Sequence, residues 1–105
     1  MNQIALSATV LDIQPLRYTP AGLPALEMIL EHQSEVEQAG HQRRIDLTIP
    51  AVALGDIALL LADMALGTPL SIKGFLAPSR KGSSKLILHV QHADRPFTDA
   101  GKVVV

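Results

Sequence analysis

The sequence predicts a mainly β domain of five strands, with one short helix between the third and the fourth. Three observations carry that expectation. Apolar and polar residues alternate in five separate stretches, the period of a half-buried strand. One stretch alone shifts to a helical period. Pro and Gly residues stand between the stretches, where the chain must turn.

The first strand covers residues 3–11, with Ile4, Leu6, Ala8 and Val10 on one face and Ala5, Ser7 and Thr9 on the other. Residues 19–24 make a turn, in which Pro20 presets φ and Gly22 tolerates a positive φ. Residues 25–32 alternate again, Leu26, Met28 and Leu30 against Glu27 and Glu31. Residues 33–40 are polar and end in Gly40, so they are expected to form a loop. The third strand, 43–49, sets Arg43, Ile45, Leu47 and Ile49 against Arg44, Asp46 and Thr48. Pro50, which has no N–H to donate, is expected to close it.

Ile57, Leu60, Leu61 and Met64 then follow the i, i+3, i+4, i+7 stripe of an amphipathic helix. Asp56 suits its N-cap and Gly67 its C-terminal stop, and Pro69 prevents continuation. Residues 70–76 form the fourth strand, with Leu70, Ile72 and Leu76 on one face and Lys73 and Phe75 on the other. Gly74 within it suggests a bulge or bend. Residues 77–84 form a basic loop, and 85–91 the fifth strand, with Leu86, Leu88 and Val90 inward. Residues 93–105 are expected to be a loose tail, in which Val103–Val105 could pair as a short edge strand.

Three strands, a helix and two strands is the element order of the OB-fold, a five-stranded Greek-key barrel with its helix between strands three and four. A β-grasp or SH3-like barrel is the main competitor, and the position of the helix favours the OB-fold. The 105 residues fit one such domain, with a barrel core over about 3–92. Aromatics make up only 3% of the chain, so its core must be built from Leu, Ile, Val, Met and Ala.

Composition excludes several chemistries. With no cysteine there is no disulfide, thiolate metal site or Cys nucleophile. No Gly-x-Ser-x-Gly elbow and no Gly-rich phosphate loop occurs. Glu27 and Glu31 would lie about 13 Å apart along one strand face, too far for a carboxylate pair. His89 and His92 fall on opposite faces of a regular strand, so chelation is not expected. His32 and His41 flank the acidic loop and could approach each other, but two histidines alone are weak metal ligands. An enzyme, a metal and a cofactor are therefore not expected. No apolar run is long enough to span a bilayer, and no secretory leader is visible, so a cytoplasmic location is expected by default.

Binding remains. The net charge is −1, but it is unevenly spread. Residues 27–37 carry Glu27, Glu31, Glu35 and Glu37 without a cation, whereas residues 71–95 carry Lys73, Arg80, Lys81, Lys85 and Arg95 against Asp94. Single-strand binders of this fold pair a basic groove with stacking platforms. Lys73 and Phe75 share the non-core face of strand four. Arg80, Lys81 and Lys85 sit on or beside the loop joining strands four and five, a binding element of the fold. Arg43 and Arg44 stand at the start of strand three. For Phe75 the alternative is ordinary barrel packing, and for the loop cations solubility.

The stretch Arg17-Tyr18-Thr19-Pro20-Ala21-Gly22-Leu23-Pro24 resembles the first hairpin of bacterial single-stranded DNA-binding proteins. A closer resemblance, to the primosomal replication protein N family, shows in five further segments. These are Pro15-Leu16-Arg17, Leu30-Glu31-His32-Gln33-Ser34, Gln38-Ala39-Gly40, Gly74-Phe75-Leu76 and Ser84-Lys85-Leu86-Ile87-Leu88-His89. The resemblance covers roughly residues 3–92. It implies a homodimer of OB-folds that acts in replication restart, binding single-stranded DNA and a PriA-type primosomal helicase. It places the DNA-contacting loop cations at Arg80, Lys81 and Lys85, and adds Arg17 and Tyr18 from the first hairpin to the candidate contacts. The chain departs from the family pattern at His41 and Asp46, where aromatics are usual, and at Tyr18 and Gln33, where basic residues are. Two readings of different class follow: a single-stranded DNA binder, or chiefly a protein-interaction adaptor of the same fold with weak DNA binding.

Overall fold

The computed structural model describes residues 1–95. In chain order the elements are β1 (Ile4–Ile13), β2 (Arg17–Tyr18), β3 (Pro24–Gln38), β4 (His41–Leu54), α1 (Asp56–Leu61), β5 (Pro69–Pro78) and β6 (Leu86–Asp94). The neighbours run β1-β5-β6-β4-β3-β2, and β1 also pairs with β3, which closes five strands into a barrel. Short β2 is a two-residue ribbon on the margin of β3. Among the described strands only β4 and β6 run parallel. This is the expected OB-fold, helix position included.

Closure depends on β1, which serves two partners. Residues Ile4 to Thr9 pair with β5 and Thr9 to Ile13 with β3. The register slips between Val10 and Asp12. Such a bulge bends the strand and lets one strand turn the barrel's corner.

The core follows the alternation. Val10, Leu26, Leu30, Ile72 and Leu88 are the largest fully buried side chains, and among the described residues no aromatic is buried. β4 contributes Ala51 and Ala53 rather than Ile45 and Leu47, because its N-terminal half lies outside the barrel.

That half belongs to an extended hairpin where a loop over 33–40 was expected. β3 and β4 stay in register from Ala25↔Leu54 to Gln38↔His41. Ala39 and Gly40 make the two-residue turn at φ 54° and 82°, the positive pair that suits the twist of a hairpin. Residues polar on both faces read as loop because they bury nothing, yet the ladder satisfies their backbone groups without burial. Nor does Pro50 end β4. Gly55 N–H donates to Pro24 C=O at 2.9 Å, so Pro24/Gly55 is a hydrogen-bonded pair. Alternation then makes Ile29/Pro50 a non-bonded pair. The proline's missing donor therefore faces away from β3, one residue before the β6 ladder begins at Ala51.

The helix also differs from its sequence pattern. Its cap is Gly55, at φ 84° with no side-chain bond, and Asp56 is its first residue. Ala58 and Leu61 are buried against the barrel, followed by Met64, while Leu60 is 76% exposed. Ile57 is partly buried against the same core, so the short helix covers the face of Ile57, Ala58 and Leu61 and leaves Leu60 to solvent.

β5 and β6 each run past their expected ends. Gly74 does sit at a bulge, with the register slipping between Lys73 and Gly74. Leu86, expected inward, is 47% exposed, because it pairs with Pro78 at the loop end, beyond the core. Lys85 lies before β6, in the loop. The expected tail begins later than residue 93, since β6 reaches Asp94. Its remainder, with Val103–Val105, lies outside the described residues.

Candidate nucleic-acid interface

Gly74 brings two strands unusually close. A Cβ at this position would strike the carbonyl of His89, so only glycine lets β5 approach β6 here. The next residue, Phe75, lies directly across from His89. Their rings stack, with centroids 4.8 Å apart and planes within 9°. Lys73, two residues before Phe75, shares its face. Lys73 pairs with His92, because the bulge skips Gln91. His89 and His92 therefore point to the same side, not to opposite sides as regular strand geometry implied. Lys73, Phe75, His89 and His92 form one block on the barrel's outer face.

A groove of about 800 Å³ opens beside this block. Its floor is the outer face of β3, β4 and β6: Glu27, Ile29, Pro50, Val52, Ile87 and His89. One wall is the β1–β3 connection, with Gln14, Pro15 and Arg17, and the other is Pro78 and Ser79 at the start of the β5–β6 loop. An apolar floor between two loops, on these strands, is where OB-folds take ligands.

The loop cations follow Ser79 in the chain, and none of the three lines the groove itself. Ser79 N–H donates to Lys85 C=O at 2.8 Å, and Ser83 N–H to Arg80 C=O at 3.0 Å. These bonds hold a compact loop on which Arg80, Lys81 and Lys85 are all exposed. None of the three, nor Lys73, forms an ion pair among the described residues.

The remaining candidates are not gathered there. Arg17 reaches the groove but is paired with Glu27 at 2.7 Å. Tyr18 is exposed beside it, outside the groove lining. Arg43 donates to Gln38 Oε1 at 2.6 Å, and Arg44 pairs with Asp46 at 3.1 Å. Both stand on the hairpin, about 20 Å along β4 from Pro50 by the rise of a strand. His41 at the hairpin tip and His32 at its base are similarly far apart, so the two do not meet. His32 instead bridges Ser7 O at 2.6 Å and Ser34 Oγ at 2.8 Å, tying the hairpin's base to β1. Among the described residues no group of three or more His, Asp or Glu side chains could hold a metal, and no helix is long and apolar enough to cross a membrane.

Sequence reasoning missed His89 and the floor residues Ile29 and Val52. Their only sequence signal was the outward phase of each strand, which does not say which outward residues meet.

The fold and groove agree with relationships to known proteins. Residues 2–92 match a family model described as "Another single-strand binding protein family". That is the class which the barrel and its groove define. Within it, the chain is 62% identical over 102 residues to the replication restart protein PriB of Bordetella pertussis, covering 97% of this chain and 95% of that protein. It is 39% identical to PriB of Nitrosomonas europaea, over 86% of this chain and 83% of that one. The chain belongs to the PriB family of replication restart proteins. The solved PriB from Ralstonia solanacearum matches with a TM-score of 0.82 at 33% identity, over 90% of this chain and 97% of that one. A single-stranded DNA-binding protein from Thermus aquaticus shares the fold, with a TM-score of 0.72 at 24% identity, over 91% of this chain and 50% of that one.

Proposed function

We propose that this chain is a non-enzymatic accessory protein of replication restart that binds single-stranded DNA across its outer groove and links the strand to a PriA-type helicase. The observation that carries the reading is the open groove between two loops, one of which continues into Arg80, Lys81 and Lys85, cations that form no ion pair among the described residues, with the Phe75–His89 rings at its border. Membership of a restart family with a single-strand binding fold supports it. Phosphate contacts by these cations bind any sequence, and ring stacking accepts any base.

The same geometry favours a second reading in one respect. Arg17, Arg43 and Arg44, three of the chain's nine Lys and Arg, are already engaged by Glu27, Gln38 and Asp46, so fewer cations remain for phosphates. A chiefly protein-binding adaptor would show this pattern. Fluorescence anisotropy with a labelled oligo-dT at several salt concentrations separates the two. The DNA-binding reading expects saturable binding, with log K falling by about 0.7 per phosphate neutralised for each unit of log salt. Absence of binding at low salt, alongside binding to purified helicase, would leave only the adaptor.

A further inference from the structure

We propose that His89 is a nucleobase-stacking residue, whose ring, backed by Phe75, is the platform on which a base of a bound strand rests. The proposal depends on the single-strand reading above and names a contact within it.

Three observations lead to His89. It lines the large groove and also the adjoining hollow formed by Val52, Leu54, Ile57 and Phe75, so it stands where the two meet. Its ring is parallel to Phe75, which covers one face. On the other side its strand neighbour is β4, where Val52 lies in register with His89. That is the groove side.

The third observation is what His89 does not do. His32, a structural histidine, engages both ring nitrogens, with Ser7 and Ser34. His89 makes no side-chain hydrogen bond among the described residues, and it is not a buried unsatisfied group. A half-buried imidazole stacked on a phenyl ring, lining the groove beside Val52 and making no side-chain hydrogen bond among the described residues, offers the groove the edge of a π platform. Imidazole rings do serve as stacking partners for unstacked bases.

The alternative is that the ring pair is a packing contact. Against it, both rings stand on the outer face of the barrel, and neither belongs to the buried core. The pair also exists only because Gly74 lets the strands close. Phe75 then prevents His89 from turning away, so the platform is ordered before a ligand arrives. Exposed Lys73 lies two residues from Phe75, and the loop cations begin five residues beyond it. A strand crossing the rings would thus meet cations at both ends. In a chain with so few aromatics, this pair replaces the ring platforms that other single-strand binders take from Trp or Tyr.

The test compares oligo-dT with an abasic strand of equal length, against the full chain. The wild type is expected to prefer oligo-dT. His89→Ala should weaken oligo-dT binding by about tenfold, about 1.4 kcal/mol, with an unchanged salt slope and unchanged affinity for the abasic strand. His89→Phe should restore binding. The chain has no Trp, so His89→Trp places a single reporter at the site. Its fluorescence should be quenched by oligo-dT and not by the abasic strand. Equal oligo-dT affinity in the wild type and His89→Ala, equal losses on both strands, or an unquenched Trp would each overturn the platform while leaving the single-strand reading intact. Failure of the wild type to bind either strand would overturn both.

Discussion

Arg17 donates from Nε and Nη2 to one carboxylate oxygen of Glu27, at 3.2 and 2.7 Å. The pair spans the β2–β3 pairing, since Arg17 lies opposite Ala25 and Glu27 follows two residues on. Both side chains are 53% exposed, so the ion pair adds little to stability. Its consequence is electrostatic: the only guanidinium lining the groove is neutralised before any phosphate arrives. Glu27→Gln should therefore tighten oligo-dT binding and steepen the salt slope by about 0.7, one more phosphate contact. The thermal midpoint should barely move. Anisotropy titrations at four salt concentrations, with a thermal melt, check both.

The loop cations should account for most of the remaining salt dependence. Replacing Arg80, Lys81 and Lys85 together with Ala should weaken binding and flatten the slope by about 2, three contacts at about 0.7 each. An unchanged slope in that variant would place the phosphate path elsewhere.

Gly74→Ala should damage the fold as well as the site. The new Cβ meets backbone atoms of His89 and Val90, which cannot rotate aside. Overpacking of this kind costs about 1–3 kcal/mol, and separating β5 from β6 also breaks the Phe75–His89 stack. Urea denaturation should show the lowered midpoint. A variant as stable as the wild type would mean that the strands separate freely.

Helicase binding should overlap the groove. Lys81→Ala and Phe75→Ala are expected to weaken binding to a PriA-type helicase in calorimetry, and oligo-dT should displace the helicase. Simultaneous, independent binding of both ligands would put the helicase on another face.

A homodimer is the expected state in solution. Sedimentation should report a species of twice the 11.2 kDa chain mass. A monomer persisting at high micromolar concentration would contradict it.

The sequence by itself determined the barrel's strands, the helix between the third and fourth of them, and an aliphatic core. Each follows from local periodicity, and Leu26, Leu30, Ile72 and Leu88 are buried on the phase that alternation assigns them. It also located the loop cations, because Arg80, Lys81 and Lys85 are close together in the chain. The outer part of the hairpin, residues 33–42, was illegible because strands that bury nothing leave no hydrophobic pattern. Only the tertiary structure decided which candidates lie together. Arg17 and Arg43 look like free cations in a linear chain, and only strand pairing sets Glu27 and Gln38 within hydrogen-bonding distance of them, whereas Asp46 stands two residues from Arg44 on the same strand face. His89 and His92 look opposed until the bulge beside Gly74 turns both to one face. A bulge and a cross-strand pair depend on the register between separate strands, and local periodicity carries no information about that register.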